Sequence, residues 1–509
     1  MEKRSKLVAK KRLDSSYPAS ISSLFKQITN QKLNKFNPDS SRIIARPFIP
    51  SDINRIKRII GLVQGLNEDE AKTILAQTFK EFSYRHKDMK GILMNHFNGV
   101  AEYVENKEGL STERKLLIGS YFTNEYSIES AALFNPSIVV YPKQNNLKKG
   151  ETRVILSFRA VGEGHISSIV FRSAVIDREN SIFMEPISRY VTTPSIVLDP
   201  TYGKHVFELK LKEMSIYNAL SAAVIERLGE NFDFRQLQES ISAVSGQGLL
   251  PPAEAERTVT EMSWLANSNY EIIFPPEDMI SERVIFPTVA TESNGVEDAR
   301  FVRFINDDGA IMYYATYTAY SGFGILPQLI ETKDFHHFKM TTLNGKMASN
   351  KGMALFPRKI NGKYAMISRL DGESLYMMYS NNLHFWNEAS LMQKPAKSWE
   401  FVQIGNCGSP IETEKGWLLL THGVGPMRKY CIGIELLDLN DPSKIIARLD
   451  EPLLSPEEEE REGYVPNVVY SCGSIVLNNE LILPYATSDS VSAIAVISLD
   501  ELLGKLRYL

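Results

Sequence analysis

Residues Gly295 to Phe304 read Gly-Val-Glu-Asp-Ala-Arg-Phe-Val-Arg-Phe. An acidic pair, Glu297 and Asp298, precedes two basic residues, Arg300 and Arg303, interleaved with Phe301 and Phe304. Carboxylates held among cations and aromatics suit acid chemistry on a sugar, because burial and neighbouring charge decide which one keeps its proton. The plainer alternative is a surface ion pair at the entrance of a strand, which contributes little. A β-rich run follows at Met312–Tyr317, so the spacing predicts that the carboxylates sit where a loop feeds a sheet.

Other segments gather polar groups in otherwise apolar runs. Phe158-Arg159-Ala160 leads into Gly162-Glu163-Gly164-His165, then Ser167, Ser168 and Arg172. Lys351-Gly352 precedes Ala354–Pro357, and Arg369 ends the next run. Thr421-His422-Gly423-Val424 follows the apolar Trp417–Leu420, with Arg428, Lys429 and Tyr430 close behind. Taken singly, each arginine reads equally as a rim ion pair, and His165 and His422 as hydrogen-bonded strand ends. Gly162-x-Gly164 lacks the third glycine and the helix of a dinucleotide loop, and no Walker A motif occurs. The absence of Gly-x-Ser-x-Gly argues against an α/β-hydrolase.

Those residues need a scaffold, and the pattern supplies one. The 509-residue chain is 43% hydrophobic and 23% charged, as for a soluble globular protein with a sizeable core. Its net charge of −4 gives no footing for nucleic acid. No run reaches the length of a membrane span. A cationic start, Lys3 to Arg12, has no apolar stretch behind it and reads as a solvated terminus rather than a signal peptide. Cys407, Cys431 and Cys472 are too few and too scattered for a disulfide framework and read as reduced, buried thiols. The eight histidines show no ligand spacing, so no metal is expected. The expected location is cytoplasmic.

Residues 51–108 carry helical periodicity, with Ser51 or Asp52 and then Asn67 as caps. From about residue 130 short β-rich runs take over, separated by turns such as Asn-Asp-Asp-Gly at 306–309 and Asn-Gly at 361–362. Many short strands predict an all-β sandwich, barrel or propeller. An internal echo favours the propeller: Thr332–Phe338 and Ser380–Trp386 both run from a polar turn into an aromatic. Residues 213–268 return to helical periodicity and read as an insertion within the β domain. The acidic run Glu457–Glu460 reads as a solvated loop.

The combination of these pieces resembles glycoside hydrolase family 130, the inverting β-mannoside phosphorylases and related β-mannosidases. The resemblance is carried by Phe134-Asn135-Pro136, Phe158-Arg159-Ala160, Gly295-x-Glu297-Asp298-x-Arg300 and Leu355-Phe356-Pro357 with Lys359-Ile360-x-Gly362-Lys363-Tyr364. Gly416-Trp417 with His422-Gly423-Val424, Leu436–Lys444 and Val465–Gly473 complete it, in family order over about residues 130–505. It implies a five-bladed β-propeller over residues 111–509, with the helical insertion at about 213–268 and a helical N-terminal extension over residues 1–110, as in a longer subgroup. That extension is expected to pack beside the propeller or between subunits of a homo-oligomer.

The resemblance also implies roles. Asp298 matches the family's proposed general acid, although Ala299 stands where the pattern usually has proline. Asn135, Arg159, Glu297, His422 and Asp489 fall with the sugar-binding positions, and Lys351, Arg369 and Tyr430 with those contacting phosphate. Inorganic phosphate would be a co-substrate, and no cofactor is implied. One departure stands out: Gln403-Ile404-Gly405 occupies a segment where short phosphorylases tend to have lysine. His422, Arg428 or Arg172 are the candidates to restore the lost charge.

Phosphorolysis needs one protein acid and a cationic pocket for the nucleophile. Inverting hydrolysis needs a second carboxylate about 6.5–9.5 Å from the acid, for which Glu163, Asp371 and Glu373 are candidates. The count of cations near the motifs favours phosphorolysis of β-manno-oligosaccharides or mannosyl-glucose to α-mannose 1-phosphate. An inverting β-mannosidase and a non-catalytic sugar-binding propeller are the alternatives.

Overall fold

The computed structural model describes residues 29–197, 201–322 and 325–509; the cationic stretch at Lys3 to Arg12 lies outside them. The fold is predominantly β, and its strands fall into five successive groups. The first runs Ala132–Val140, Thr152–Val161 and Ser167–Ile176, with Ile182–Met184 at its edge. The second runs Gly295–Ile305, Ile311–Tyr320, Ile325–Thr332 and His337–Thr342, extended by Tyr270–Ile273 and Ser195–Val197. A single parallel pair, Gly295 with Ser167, joins these two groups into one sheet. The third comprises Ala354–Leu355, Tyr364–Ser368, Leu375–Ser380 and Ala389–Gln393. The fourth is built on Gln403–Asn406, Gly416–Val424, Tyr430–Leu437 and Ile445–Arg448. The fifth runs Val469–Tyr470, Glu480–Thr487 and Val491–Ser498, and its outermost strand is Thr29–Phe36 from the other end of the chain.

Burial on both faces explains the near-continuous apolar runs of the central strands. Gly416–Val424 and Tyr430–Leu437 are buried almost throughout, and Trp417, Leu419 and Leu437 pack with Phe356 and Ile367 of the third group. The turns at Thr332–Phe338 and Ser380–Trp386 occupy matching places, each joining the third strand of its group to the fourth. Both are fixed the same way: the Thr332 hydroxyl accepts from the N–H of Phe335 at 2.9 Å, and that of Ser380 from Asn382 at 3.0 Å. Phe335 and Trp386 then drop fully buried into the core.

The helical segments follow their caps. Asp52 caps Ile53–Gln64, and Asn67 with Glu70 forms a capping box on Glu68–Phe82. Met89–Asn98 and Thr112–Tyr121 join them around Ile56, Ile60, Leu93, Phe97 and Leu117. The N-terminal region is not purely helical, because Thr29–Phe36 and Ile43–Pro47 precede these helices as strands. Ion pairs tie it to the β body. Arg42 meets Glu129, which also receives the Arg172 guanidinium at 2.8 Å, while Lys87 pairs with Glu282 at 2.9 Å. Between the first two groups, helices Lys204–Glu213, Ala219–Glu226, Phe234–Val244 and Pro252–Ala266 form a separate small core around Leu220, Val224, Leu237, Ile241 and Met262. The insertion therefore starts one helix earlier than the periodicity predicts.

The three cysteines are free and buried. The acidic run departs from a simple solvated loop: Glu460 is buried and accepts the Tyr485 hydroxyl at 3.2 Å. No helix among the described residues is long and apolar enough to cross a membrane.

Candidate active site

A cavity of about 370 Å³ is lined from the first strand of every group, or the few residues before it. Asn135 comes from the first group, Asp298 and Arg300 from the second, and Lys351 from the approach to the third. Gln403 comes from the fourth, and Val468 and Tyr470 from the fifth. Arg159, Arg369, His422, Arg428, Tyr430 and Asp489 complete the polar wall.

Backbone irregularity aims the two central side chains. Asp298 lies inside a strand, not in a loop feeding one, and the ladder slips between Glu297 and Arg300. The same slip occurs between Phe134 and Ser137. Each bulge places one residue in the left-handed region, Asp298 at φ 56° and Asn135 at φ 49°. Their side chains meet: Asn135 Nδ2 donates to Asp298 Oδ1 at 2.7 Å. Asp489 arrives by a third irregularity, the hairpin tip between Thr487 and Val491, where Ser488 and Asp489 both have positive φ. That tip is fastened at both sides, since Ser488 N donates to Val468 O at 2.7 Å and Leu133 N to Ser490 O at 2.9 Å.

Arg159 organises the acidic half of the cavity. Its guanidinium pairs with Glu297 at 2.6 Å and reaches Asp298 at 3.4 Å, while packing over the Phe134 ring. Lys351 Nζ lies 3.6 Å from the other Glu297 oxygen. Burial alone would push the Asp298 carboxyl up, but Arg159, Arg300, Lys351 and the Asn135 amide outweigh it and hold it below its ordinary value. Asp489 goes the other way: burial, then the charge of Asp298, pushes it up to about 7 against the pull of Arg159. The two carboxylates thus divide the work, one ionised and one holding a proton near neutrality.

This division has a measurable consequence. Between the unfolded value near 4 and the folded value of about 7, the native chain keeps a proton that the unfolded chain has released. Stability therefore falls as pH rises through that window. The Asp489→Asn variant escapes the penalty, so its melting temperature relative to wild type is expected to climb from pH 5 to about pH 7 and then level off. A constant offset across that range would show that Asp489 holds no extra proton.

The basic half is built differently. His422 Nδ1 donates to Asn406 O at 3.1 Å, which leaves Nε2 as an acceptor for Arg369 Nη1 at 3.2 Å and Gln403 Nε2 at 3.4 Å. Burial, followed by the charges of Arg369 and Arg300, drives the His422 pKa well below its usual value. The imidazole is neutral and adds no positive charge. Gly405 is required beneath it, since a Cβ there would lie 2.3 Å from the ring. Arg369 and Arg428 have no carboxylate partner among the described residues, in contrast to Arg159. Buried polar atoms around the cavity also go unanswered: Asn135 Oδ1 and the Nε atoms of Arg159, Arg300 and Arg369 have no hydrogen-bond partner among the described residues.

The structure thus brings together Asp298, Asn135, Arg159, His422, Asp489, Lys351, Arg369 and Tyr430, with Glu297 held against them by Arg159. Other sequence candidates lie elsewhere. Glu163 is exposed on the turn after Thr152–Val161, and Asp371 and Glu373 are exposed on another turn; none lines the cavity. Slight burial works against ionisation of Asp371, but the N–H groups of Glu373 and Ser374 and the Tyr376 hydroxyl draw its pKa down to about 2. Such a carboxylate is a poor base. Arg172 is corrected outright as a source of charge for the cavity, being buried against Glu129. Of the three residues offered to replace the missing lysine, only Arg428 is a cation in the wall.

Sequence reading missed the part of Tyr470, whose hydroxyl accepts from Arg300 Nη2 at 2.6 Å and whose ring sits 4.8 Å from that of His422. A signal was present: Val468 and Tyr470 are two apart at the start of a strand and so share a face.

Comparison with known proteins places the chain among carbohydrate-active enzymes. The family model described as β-1,4-mannooligosaccharide phosphorylase matches residues 269–507. A 1,2-β-oligomannan phosphorylase from Thermoanaerobacter sp. (strain X514) is 37% identical over 222 residues, spanning 42% of this chain and 71% of that one. A β-1,2-mannobiose phosphorylase from Listeria innocua is 27% identical over 375 residues, spanning 69% and 95%. The solved structure of a β-1,2-mannobiose phosphorylase from Listeria innocua with β-1,2-mannobiose aligns over 75% of this chain and 92% of that one, at 22% identity and a TM-score of 0.44. The chain belongs to glycoside hydrolase family 130.

Proposed function

We propose that this protein cleaves β-mannosides by inverting phosphorolysis, releasing α-mannose 1-phosphate, at one end of a five-bladed β-propeller. The five strand groups are the blades, each contributing its first strand or the few residues before it to the central cavity. Residues 111–509 carry the catalytic unit, and residues 1–110 supply helices together with the strand that completes the last blade.

The observation that carries the reaction type is the presence, in one cavity, of Asp298 and an arginine that has no carboxylate partner among the described residues. Arg369 contacts neutral His422 through one nitrogen and leaves Nε unpaired. A guanidinium in that state fits an anion, and phosphate offers it two oxygens at once. Lys351, Arg428 and Tyr430 stand in the same wall. A cation cluster of this kind serves phosphate better than water as the nucleophile.

In the proposed reaction, Asn135, Arg159, Glu297, His422 and Asp489 hold the mannosyl unit. A phosphate oxygen attacks its anomeric carbon from the face opposite the leaving group. The bond to the leaving oxygen breaks, and that oxygen takes a proton originating on Asp298, directly or through a sugar hydroxyl. In the free protein Asp298 is held ionised by the surrounding cations. Phosphate entering the basic half offsets that positive field, so the carboxyl takes up its proton as the substrates bind. The product is a charged sugar that does not cross a membrane unaided, in keeping with a cytoplasmic location. The N-terminal helices pack beside the propeller or between subunits.

Product analysis tests the reading. A panel of β-mannobioses and mannosyl-glucose, incubated with and without inorganic phosphate, is expected to give α-mannose 1-phosphate only when phosphate is present. Free mannose at equal rates in both conditions would make the protein a hydrolase and turn attention to Asp489 as base.

A further inference from the structure

Next to Val465, which lines the cavity, stands an aromatic pair that the reaction described above does not use. Tyr464 and His165 lie far apart in sequence, yet their rings stand 5.5 Å apart at 33°, and the Tyr464 hydroxyl hydrogen-bonds His165 Nδ1 at 3.2 Å. Both side chains are exposed, and Tyr464 keeps 55% of its surface open. One part of the phenol is therefore backed by imidazole while the rest faces solvent.

Its place in the chain puts it beside the site. Gly463 packs on Ser488 and Ser490, the two residues flanking Asp489. Val465, on its other side, lines the cavity. His165 sits six residues beyond Arg159, at the end of the strand that delivers that arginine. The backbone is bent on purpose to present it: Gly164 and His165 both adopt positive φ, at 67° and 59°. Two successive left-handed residues, one of them a histidine, persist only where surrounding structure enforces them, and such outliers gather at binding sites.

We propose that Tyr464, braced by His165, is a stacking platform for a sugar unit beyond the bond being cleaved, and that it tunes the enzyme toward saccharides of three or more units. The proposal rests on the β-mannoside reading above. A β-mannoside turns the axial C–H groups of C1, C3 and C5 to one face of the ring, and an aromatic face covers them without needing hydrogen bonds. Tyrosine suits this because it is amphipathic and has few rotatable bonds to freeze. The hydrogen bond to His165 fixes the ring in advance, which lowers the entropy lost on binding. The pair joins loops of the first and last strand groups, whereas Arg369 and Arg428 come from the third and fourth. The platform thus belongs to a different part of the wall from the phosphate-binding side.

The test is calorimetric titration of β-linked mannobiose and mannotriose in an Asp298→Asn background, which suppresses turnover of either kind. The affinity ratio of trisaccharide to disaccharide is expected to fall about tenfold in Tyr464→Ala, and to fall only partway in Tyr464→Phe and His165→Ala, which each remove the bracing hydrogen bond. An unchanged ratio, or equal weakening for both lengths, overturns the platform. Phosphate-dependent turnover by the wild-type chain, measured alongside, judges the β-mannoside phosphorolysis reading separately, because the binding ratio does not depend on which nucleophile is used.

Discussion

Replacing Asp298 with asparagine is expected to lower turnover of an unactivated β-mannobiose by about a thousandfold, within the range that general acid catalysis supplies. The substitution is nearly isosteric, and the neighbours can adapt. Asn135 Nδ2 can donate to the new amide oxygen as it does to the carboxylate. Arg159 keeps its shorter contact, the one to Glu297 at 2.6 Å. The melting temperature should therefore move little while activity collapses. Leaving-group chemistry sharpens the result: an aryl mannoside that departs without protonation should lose far less rate than the disaccharide. Full activity toward mannobiose in the variant would remove Asp298 from the mechanism.

The second large effect is expected at Arg369. Its exchange for methionine keeps the aliphatic stem but removes the only group donating to His422 from the third strand group. A hydrogen bond to a charged partner contributes about 1.5–3 kcal/mol, so the KM for phosphate should rise roughly 10- to 150-fold. The KM for the saccharide should change less, because Asn135, Glu297 and Asp489 gather around Arg159 and Asp298, and of the sugar-binding residues it is His422 that touches Arg369. A lysine in place of Arg369 should recover part of the loss, restoring charge but not the planar two-nitrogen fit. If phosphate dependence were untouched, the anion would have to sit elsewhere in the wall.

The sequence already carried much of this arrangement, and the failures have physical causes. The N-terminal helices were legible because amphipathic spacing and capping residues are local: Asp52 and Asn67 each cap the helix that follows. Strands such as Tyr364–Ser368 sit among the short β-rich runs expected after residue 130, because their partners are neighbours in the chain. The bulges at Asn135 and Asp298 were invisible, since one slipped pair leaves no mark on the hydrophobic alternation. Arg172 was counted with the site because its motif lies near Arg159, but its partner Glu129 comes from a different segment. Whether a cation is spent on an internal carboxylate is a fact of three dimensions. Thr29–Phe36 shows the same limit, because it is a strand only by virtue of Val491–Ser498.

That pairing bears on how the molecule is made. The segment that emerges from the ribosome early must wait, unpaired, until the last strands of the chain have followed it. Until then Val491–Ser498 has an open hydrogen-bonding edge, and the hairpin that holds Asp489 is fastened on fewer sides. Such an edge invites pairing with other chains. Closure is thus a late and long-range event, slow in the manner of contacts between distant residues. It follows that trimming the chain back to residue 110 would not simply remove an accessory module. It would leave the sheet beside the active site without its final strand.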